Sequence, residues 1–178
     1  MIRTPRLTLR PLRRSDLDAF AAYRSDPAVA AFQSWDVPYP MADAERLLAE
    51  QAGLRLGRSA GWMQLAIVDA HSDALLGDCA CCVLGEPPRT AELGITLAPA
   101  SQGRGVAREA LGGLLTALIA EHDIHRVIAH ADDRNVRVHR LLAALGMRCE
   151  GRFVEADWHK GEWTTLRLYA VLAREHRR

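Results

Sequence analysis

The chain has 178 residues, 49% of them hydrophobic and 25% charged, with a net charge of +1. That length and composition suit one domain, residues 1–178, with a single substantial core, and a near-neutral charge argues against a nucleic-acid surface or a membrane footprint. No run of about 18 apolar residues offers a membrane span, and the charged N-terminus has no apolar segment behind it, so neither an anchor nor a signal peptide is expected.

Residues 6–12 alternate, Leu7 and Leu9 against Thr8 and Arg10, which predicts a first strand, set at a sheet edge by its prolines. Ser15, three residues before Asp18, reads as a helix cap. Leu17, Phe20, Ala21 and Tyr23 then give a short amphipathic helix stopped by Pro27. Residues 28–40 show no period. Phe32, Trp35 and Tyr39 sit there among prolines, in a long aromatic loop that either serves function or lids the core. Ala44, Leu47, Leu48, Gln51, Ala52 and Leu54 predict a second helix, closed by Gly57 and Gly61.

Residues 62–69 and 74–84 read as a hairpin around His71, Ser72 and Asp73, with Gly77 as a bulge or a close approach. Gly85, Glu86, Pro87 and Pro88 make the next turn, and residues 91–98 the strand after it. A helix follows with Ala110, Leu111, Leu114, Leu115, Leu118 and Ile119 on one face. Residues 126–131 form a strand, Asp132 and Asp133 offer caps, and Val138, Leu141, Leu142 and Leu145 mark a helix stopped by Gly146. A last pair of strands, 149–158 and 163–172, turns at His159, Lys160 and Gly161. The order predicts an α/β fold: a single mixed, mostly antiparallel sheet of about seven strands with helices on both faces.

The chemistry concentrates in residues 92–109. A strand breaks at Pro99, and Gln102, Gly103, Arg104, Gly105, Val106 and Ala107 lead into the most apolar helix. The first N–H groups of a helix have no intrahelical acceptor and stand at the positive end of its dipole. Gly103 and Gly105 add no side chain, so a bulky anion such as a pyrophosphate can approach the backbone. The spacing is neither a Walker loop nor G-x-G-x-x-G. Cys79, Cys81, Cys82 and Cys149 lack the spacing of a zinc site. Alternation puts Cys79 and Cys81 on one strand face and Cys82 on the other, and all four read as small hydrophobes of a reducing cytoplasm, with no metal.

The pattern Q-x-x-G-x-A at Gln102, Gly105 and Ala107, directly after a strand ending in L-A-P, resembles the coenzyme A pyrophosphate loop of the GNAT superfamily of N-acetyltransferases. Residues 4–12, 24–29, 91–99, 125–127 and 145–151, with Asn135, Leu168 and Tyr169, resemble the RimJ/RimL-like branch in order and spacing. Two positions depart from it: Val138 stands where a serine is frequent, and Met147 where an aromatic is usual. The resemblance implies a cytoplasmic, acetyl-CoA-dependent N-acetyltransferase without a metal. Its acceptor would be a primary amine, either a protein N-terminus or a small molecule such as an amino acid, polyamine or antibiotic.

Such chemistry needs a base, because the amine is protonated near neutral pH. Glu92 is the first candidate, on the strand that should run beside the thioester; Asp157 is second and Glu155 a third. The resemblance assigns the oxyanion donor to a backbone N–H near Leu97. Asn135 is either an amide for the acyl-pantetheine arm or a helix cap. Val138 cannot act as an acid, so water, Ser101, Tyr169 or no acid at all serves the leaving thiolate. His130 and His139 show no partner in the sequence and read as structural. No defensible Cys–His pair suggests an acyl-enzyme, so direct attack in a ternary complex is expected. The acceptor groove is expected from Phe32, Trp35 and Tyr39 together with Trp158 and Trp163. The alternative is a non-catalytic acyl-CoA-binding domain, favoured only by Val138. An exposed strand edge leaves room for a homodimer.

Overall fold

The computed structural model describes residues 1–85 and 89–176; Glu86, Pro87 and Pro88 of the expected turn lie outside the described residues. Alternating apolar residues build one sheet from β1 (Ile2–Arg3), β2 (Leu7–Pro11), β3 (Met63–Asp69), β4 (Leu75–Leu84), β5 (Thr90–Leu97), β6 (Arg126–Asp132), β7 (Arg148–His159) and β8 (Glu162–Leu172). The order is β1-β2-β3-β4-β5-β6-β8-β7, antiparallel except for the parallel β5–β6 pair. This is one strand more than expected, because the two residues of β1 are too short to show a period. β2 therefore lies one place in from the edge that its prolines suggested.

The helices are α1 (Leu17–Arg24), α2 (Pro27–Ala30), α3 (Met41–Glu50), α4 (Val106–Glu121), α5 (Val136–Ala144) and α6 (Ala173–His176). Two hydrophobic clusters show how they cover the sheet. Leu65 and Ile67 of β3 face one cluster with Leu111, Leu114, Leu115 and Leu118 of α4 and Leu142 of α5. Ala66 and Val68, the alternate residues, face the other with Leu17, Phe20 and Ala21 of α1 and Ala44 of α3. Each leucine buried along α4 contributes roughly 1.5–3 kcal/mol, which holds the helix and its N-terminus rigidly on the sheet. Cys79 and Cys81 belong to the α4 cluster and Cys82 does not, as the alternation required.

Several local expectations are corrected. Ser15 is not a helix cap but sits in a 3-10 turn, Arg14–Asp16, that precedes α1. There the Asp16 carboxylate accepts from the Arg13 N–H (2.8 Å) and from the Arg10 guanidinium at 2.7 and 2.9 Å. The second helix starts at Met41 and ends at Glu50, well before Gly57. Gln51 instead turns its side chain to β3, where its Oε1 accepts from the Gln64 N–H at 2.7 Å. Asp132 and Asp133 do not cap α5, because arginines draw both away: Arg134 takes Asp132, and Arg152 and Arg167 take Asp133. Asn135 is the cap, its Oδ1 accepting from the Val138 N–H at 3.2 Å.

The aromatic loop opens as the short α2, with Pro27 in its first turn and the Asp26 side chain accepting from the Ala28 N–H at 2.7 Å. Trp35 and Tyr39 then pack inward with Phe20 around Arg24, whose guanidinium lies 3.9 Å from the Trp35 ring centre and 4.1 Å from that of Phe20. Arg24 donates to Asp78 of β4 at 2.9 Å, and the Tyr23 hydroxyl donates to the same carboxylate at 2.5 Å. For Trp35 and Tyr39, then, the loop lids a core.

Candidate functional site

The site begins where the sheet stops pairing. β5 and β6 are in register only from Thr90 opposite Arg126 to Glu92 opposite Ile128. Beyond Glu92 the two strands separate while each keeps its other neighbour, β4 or β8. The gap opens a cleft of about 410 Å³ that passes through the sheet. On the α4/α5 side it is lined by Leu111, Val138 and Leu142. On the opposite side it is lined by Glu92, His130, Asp157 and Thr164. A second groove of about 620 Å³ runs along the α4/α5 face, lined by Gln102, Gly103, Ala107, Asn135, Arg137 and Arg140. Asn135 and Val138 line both, so the two spaces adjoin.

The α4 end of the groove suits an anion. Gly105 caps α4 in a left-handed conformation (φ 78°), and among the described residues no side chain caps the helix. Glu109, the acid of the first turn, is committed elsewhere: it accepts from Thr4 Oγ1 at 2.7 Å, the Arg6 N–H at 2.8 Å and Arg6 Nε at 2.7 Å. The first N–H groups of α4 are thus left for a ligand. Gly103, at φ 72°, is also left-handed, and a Cβ there would stand in open space on the groove wall. Arg137 donates to Gln102 Oε1 at 3.0 Å and sets a positive charge beside the loop.

The residues around this geometry match a known pattern. The family profile of the acetyltransferase (GNAT) domain matches residues 6–148. The chain belongs to the GNAT acetyltransferase family. It is 28% identical to the uncharacterized N-acetyltransferase YnaD of Bacillus subtilis over 175 residues, covering 98% of each chain. It is 25% identical to the uncharacterized N-acetyltransferase p20 of Bacillus licheniformis over 173 residues, 97% of this chain and 96% of that one. A GNAT-family acetyltransferase from Bacillus anthracis superposes with a TM-score of 0.87 at 25% identity, covering 98% of this chain and 99% of that one. A spermidine N-acetyltransferase from Vibrio cholerae, solved with CoA and spermine, shares the fold with a TM-score of 0.84 at 22% identity, covering 98% and 100%.

The acetyl donor of this GNAT fold is acetyl-CoA, and the expected site residues fall on its two grooves unevenly. Gln102, Gly103, Ala107 and Asn135 line the groove at α4. Arg104, Gly105 and Val106 do not; Val106 is buried in the core and Gly105 turns toward Arg6. Leu97 lines neither space. Ala98 donates its N–H to the Leu76 carbonyl (3.0 Å) with Leu97 opposite Gly77, so the Leu97 N–H points away from β4 toward the opened edge of β5. Its carbonyl accepts from Gln102 Nε2 at 3.2 Å. Ile95 lies two residues deeper on that same edge and does line the cleft.

Glu92 and Asp157 both reach the cleft, whereas Glu155 is exposed and outside it. Asp157 faces inward because β7 bulges between Phe153 and Asp157, with Glu155 at φ 48°, and then pairs with Thr164. Trp158 and Trp163 form the next pair and therefore face away, 59% and 60% exposed. Of the five aromatics expected in an acceptor groove only Phe32 lines it. The hairpin tip closes over that side, Lys160 Nζ donating to the Ala30 carbonyl at 2.6 Å. Asp132, also in the cleft, pairs with Arg134 at 2.7 Å, a hydrogen bond that holds its carboxyl below the usual range against the opposing effect of burial.

His130 has a partner that the sequence did not show. Its Nδ1 lies 2.8 Å from Glu92 Oε1. The signal was present in the alternation: Glu92 stands opposite Ile128, so His130 is the next residue of β6 on the same face, at the point where the strands part. Tyr169 and Ser101, the alternative acids, are buried and line neither space. Among the described residues no cysteine lines the cleft. Among the described residues no cluster of His, Cys, Asp and Glu could hold a metal, and no helix is long and apolar enough to cross a membrane.

Proposed function

We propose that this chain, read as one domain over residues 1–178, transfers the acetyl group of acetyl-CoA to a primary amine by direct attack in a ternary complex. The observation that carries this is the opening between β5 and β6, which has an anion-binding groove on one face of the sheet and ionisable side chains on the other. In this reading the N–H groups at the start of α4, with Gly103 and Arg137, hold the pyrophosphate. Asn135 steers the pantetheine arm past Val138 into the cleft. The unpaired edge of β5 meets the acyl group, with the Leu97 N–H on the arm and the Ile95 N–H as the oxyanion donor.

The amine comes from the opposite face, so both substrates are held at once and reach each other through the gap. A group at the Glu92 end removes the ammonium proton. The nitrogen then attacks the thioester carbon, the C–N bond forms, the C–S bond breaks, and the second proton of the nitrogen passes through the same group to the leaving thiolate. Among the described residues Thr164 is the only Ser, Thr or Cys side chain lining the cleft, which supports direct transfer over a covalent acyl-enzyme. Asp157 is four β8 residues along from His130 and two strand spacings away, across β8, measured through the Thr164 and Leu168 pairings. At about 3.3 Å per residue and about 4.8 Å per strand that is well over 10 Å away, which suits a charge holding the acceptor better than a second base.

A polyamine or the N-terminus of a protein, as in the RimJ/RimL-like branch, fits that anionic side. A homodimer would form through β7, the outer strand at the end opposite β1, where Phe153 and Val154 are exposed. The test is thiol release from acetyl-CoA with spermidine, an aminoglycoside and a peptide with a free N-terminus. Turnover with at least one is expected; tight acetyl-CoA binding with none would favour the acyl-CoA-binding alternative.

A further inference from the structure

We infer that His130 is the general base of the transfer, and that Glu92 is its positioning residue. The inference rests on the amine-acetylating reading above and names the atoms. A carboxylate can only accept a hydrogen bond, so the 2.8 Å contact to Glu92 Oε1 puts the imidazole hydrogen on Nδ1. Nε2 then carries the lone pair. No protein group among the described residues hydrogen-bonds it, and the ring is 38% exposed within the cleft, against 19% for the Glu92 side chain behind it. The arrangement is that of a base held in one tautomer by a more buried acid.

The carboxylate alone is the less suitable base: it is the more enclosed of the two and already spends one oxygen on the imidazole. His130 Nε2 takes one proton from the ammonium and passes it to solvent. The neutral amine attacks, the C–N bond forms, and the nitrogen gives its second proton to Nε2 as the C–S bond breaks. The imidazolium then protonates the leaving thiolate. This supplies the acid that α5 lacks, since the helix presents only Val138 and Leu142 to the cleft. The net products are amide, thiol and one proton. The charged and titratable groups that share the cleft with the ring are Glu92 of β5, Asp132 of its own strand, and Asp157 and His159 of β7; Cys82 of β4 lies opposite Glu92.

The first test needs no substrate. Two-bond ¹H–¹⁵N spectra of ¹⁵N-histidine protein, with the His130 signal assigned by its loss in His130→Gln, should show the Nδ1–H tautomer. Glu92→Gln should abolish that preference. An Nε2–H tautomer, or spectra unchanged in Glu92→Gln, overturns the dyad. The second test is kinetic, with acetyl-CoA and whichever of the three acceptors turns over fastest. His130→Gln should lower kcat by about a hundredfold or more and remove the acidic limb of the pH profile, with calorimetric affinity for acetyl-CoA unchanged. Glu92→Gln should shift that limb and cost less than His130→Gln. Full kcat in His130→Gln overturns the inference. Wild-type protein that turns over none of the three acceptors, yet shows the Nδ1–H tautomer, would fail the transferase reading while leaving the dyad in place.

Discussion

Single residues divide sharply between those whose environment is set by nearby sequence and those set by the fold. Asp78 belongs to the second kind: burial raises its carboxyl while Arg24 and Tyr23 oppose that effect. Replacing it with alanine strands the Arg24 guanidinium among aromatic rings, and urea unfolding should show a loss of about 3–5 kcal/mol. Thiol titration tests the cysteines. Burial pushes Cys81 and Cys82 up to about 11, Cys79 is fully enclosed, and Cys149 is exposed. One thiol should react quickly in the native protein and the other three only on unfolding. Asp157→Asn should raise the KM of a cationic acceptor and leave acetyl-CoA affinity alone. That Glu92 and Asp157 would line a cleft, and Gln102, Gly103 and Ala107 a groove, could be expected from residue type and spacing. The pairing of His130 could not, because its partner is 38 positions away and meets it only through a strand register.

At the scale of elements, legibility followed length and period. The apolar face of α4 and the long strands β4, β5 and β8 announce themselves, whereas the two-residue β1 and the four-residue α2 carry too few turns of any period. Caps were misread for a physical reason: aspartate is a good cap only when no arginine competes, and Arg134, Arg152 and Arg167 compete for Asp132 and Asp133. Asn135 caps α5 through Oδ1 and also lines both grooves, so the cap is observed and the part in holding the pantetheine arm is proposed. Two substitutions separate them. Asn135→Ala should cost about 1 kcal/mol of stability and weaken acetyl-CoA binding. Asn135→Ser should restore the stability and not the binding. Recovery of both in the serine variant would reduce Asn135 to a cap.

At the scale of the whole molecule, acid stability follows from the ion pairs. Asp16, Glu109 and Asp132 are all held below the ordinary carboxylate range; for Asp16 and Glu109 burial alone would raise the group, and hydrogen bonds from Arg10, Arg13, Thr4 and Arg6 outweigh it. A lowered folded value stabilises the fold above the unfolded carboxylate pKa of about 4, and that stability is lost as pH falls through the folded values. Asp78 has the opposite sign and partly offsets the loss. Melting temperature should therefore drop as pH falls below about 4, and Asp16→Asn should flatten that dependence. The sheet itself and its flanking helices could be read from the order of elements, but the through-sheet gap could not, because it depends on where β5 and β6 stop pairing. Calorimetry of acetyl-CoA with wild type and Ala107→Glu tests most directly whether the N-terminus of α4 holds the diphosphate. A glutamate in the first turn favours the helix, so the fold should persist with an unchanged melting temperature. Affinity should fall by about tenfold or more, equivalent to about 1.4 kcal/mol. Equal affinity in the two proteins would contradict the assignment of the phosphates to this helix.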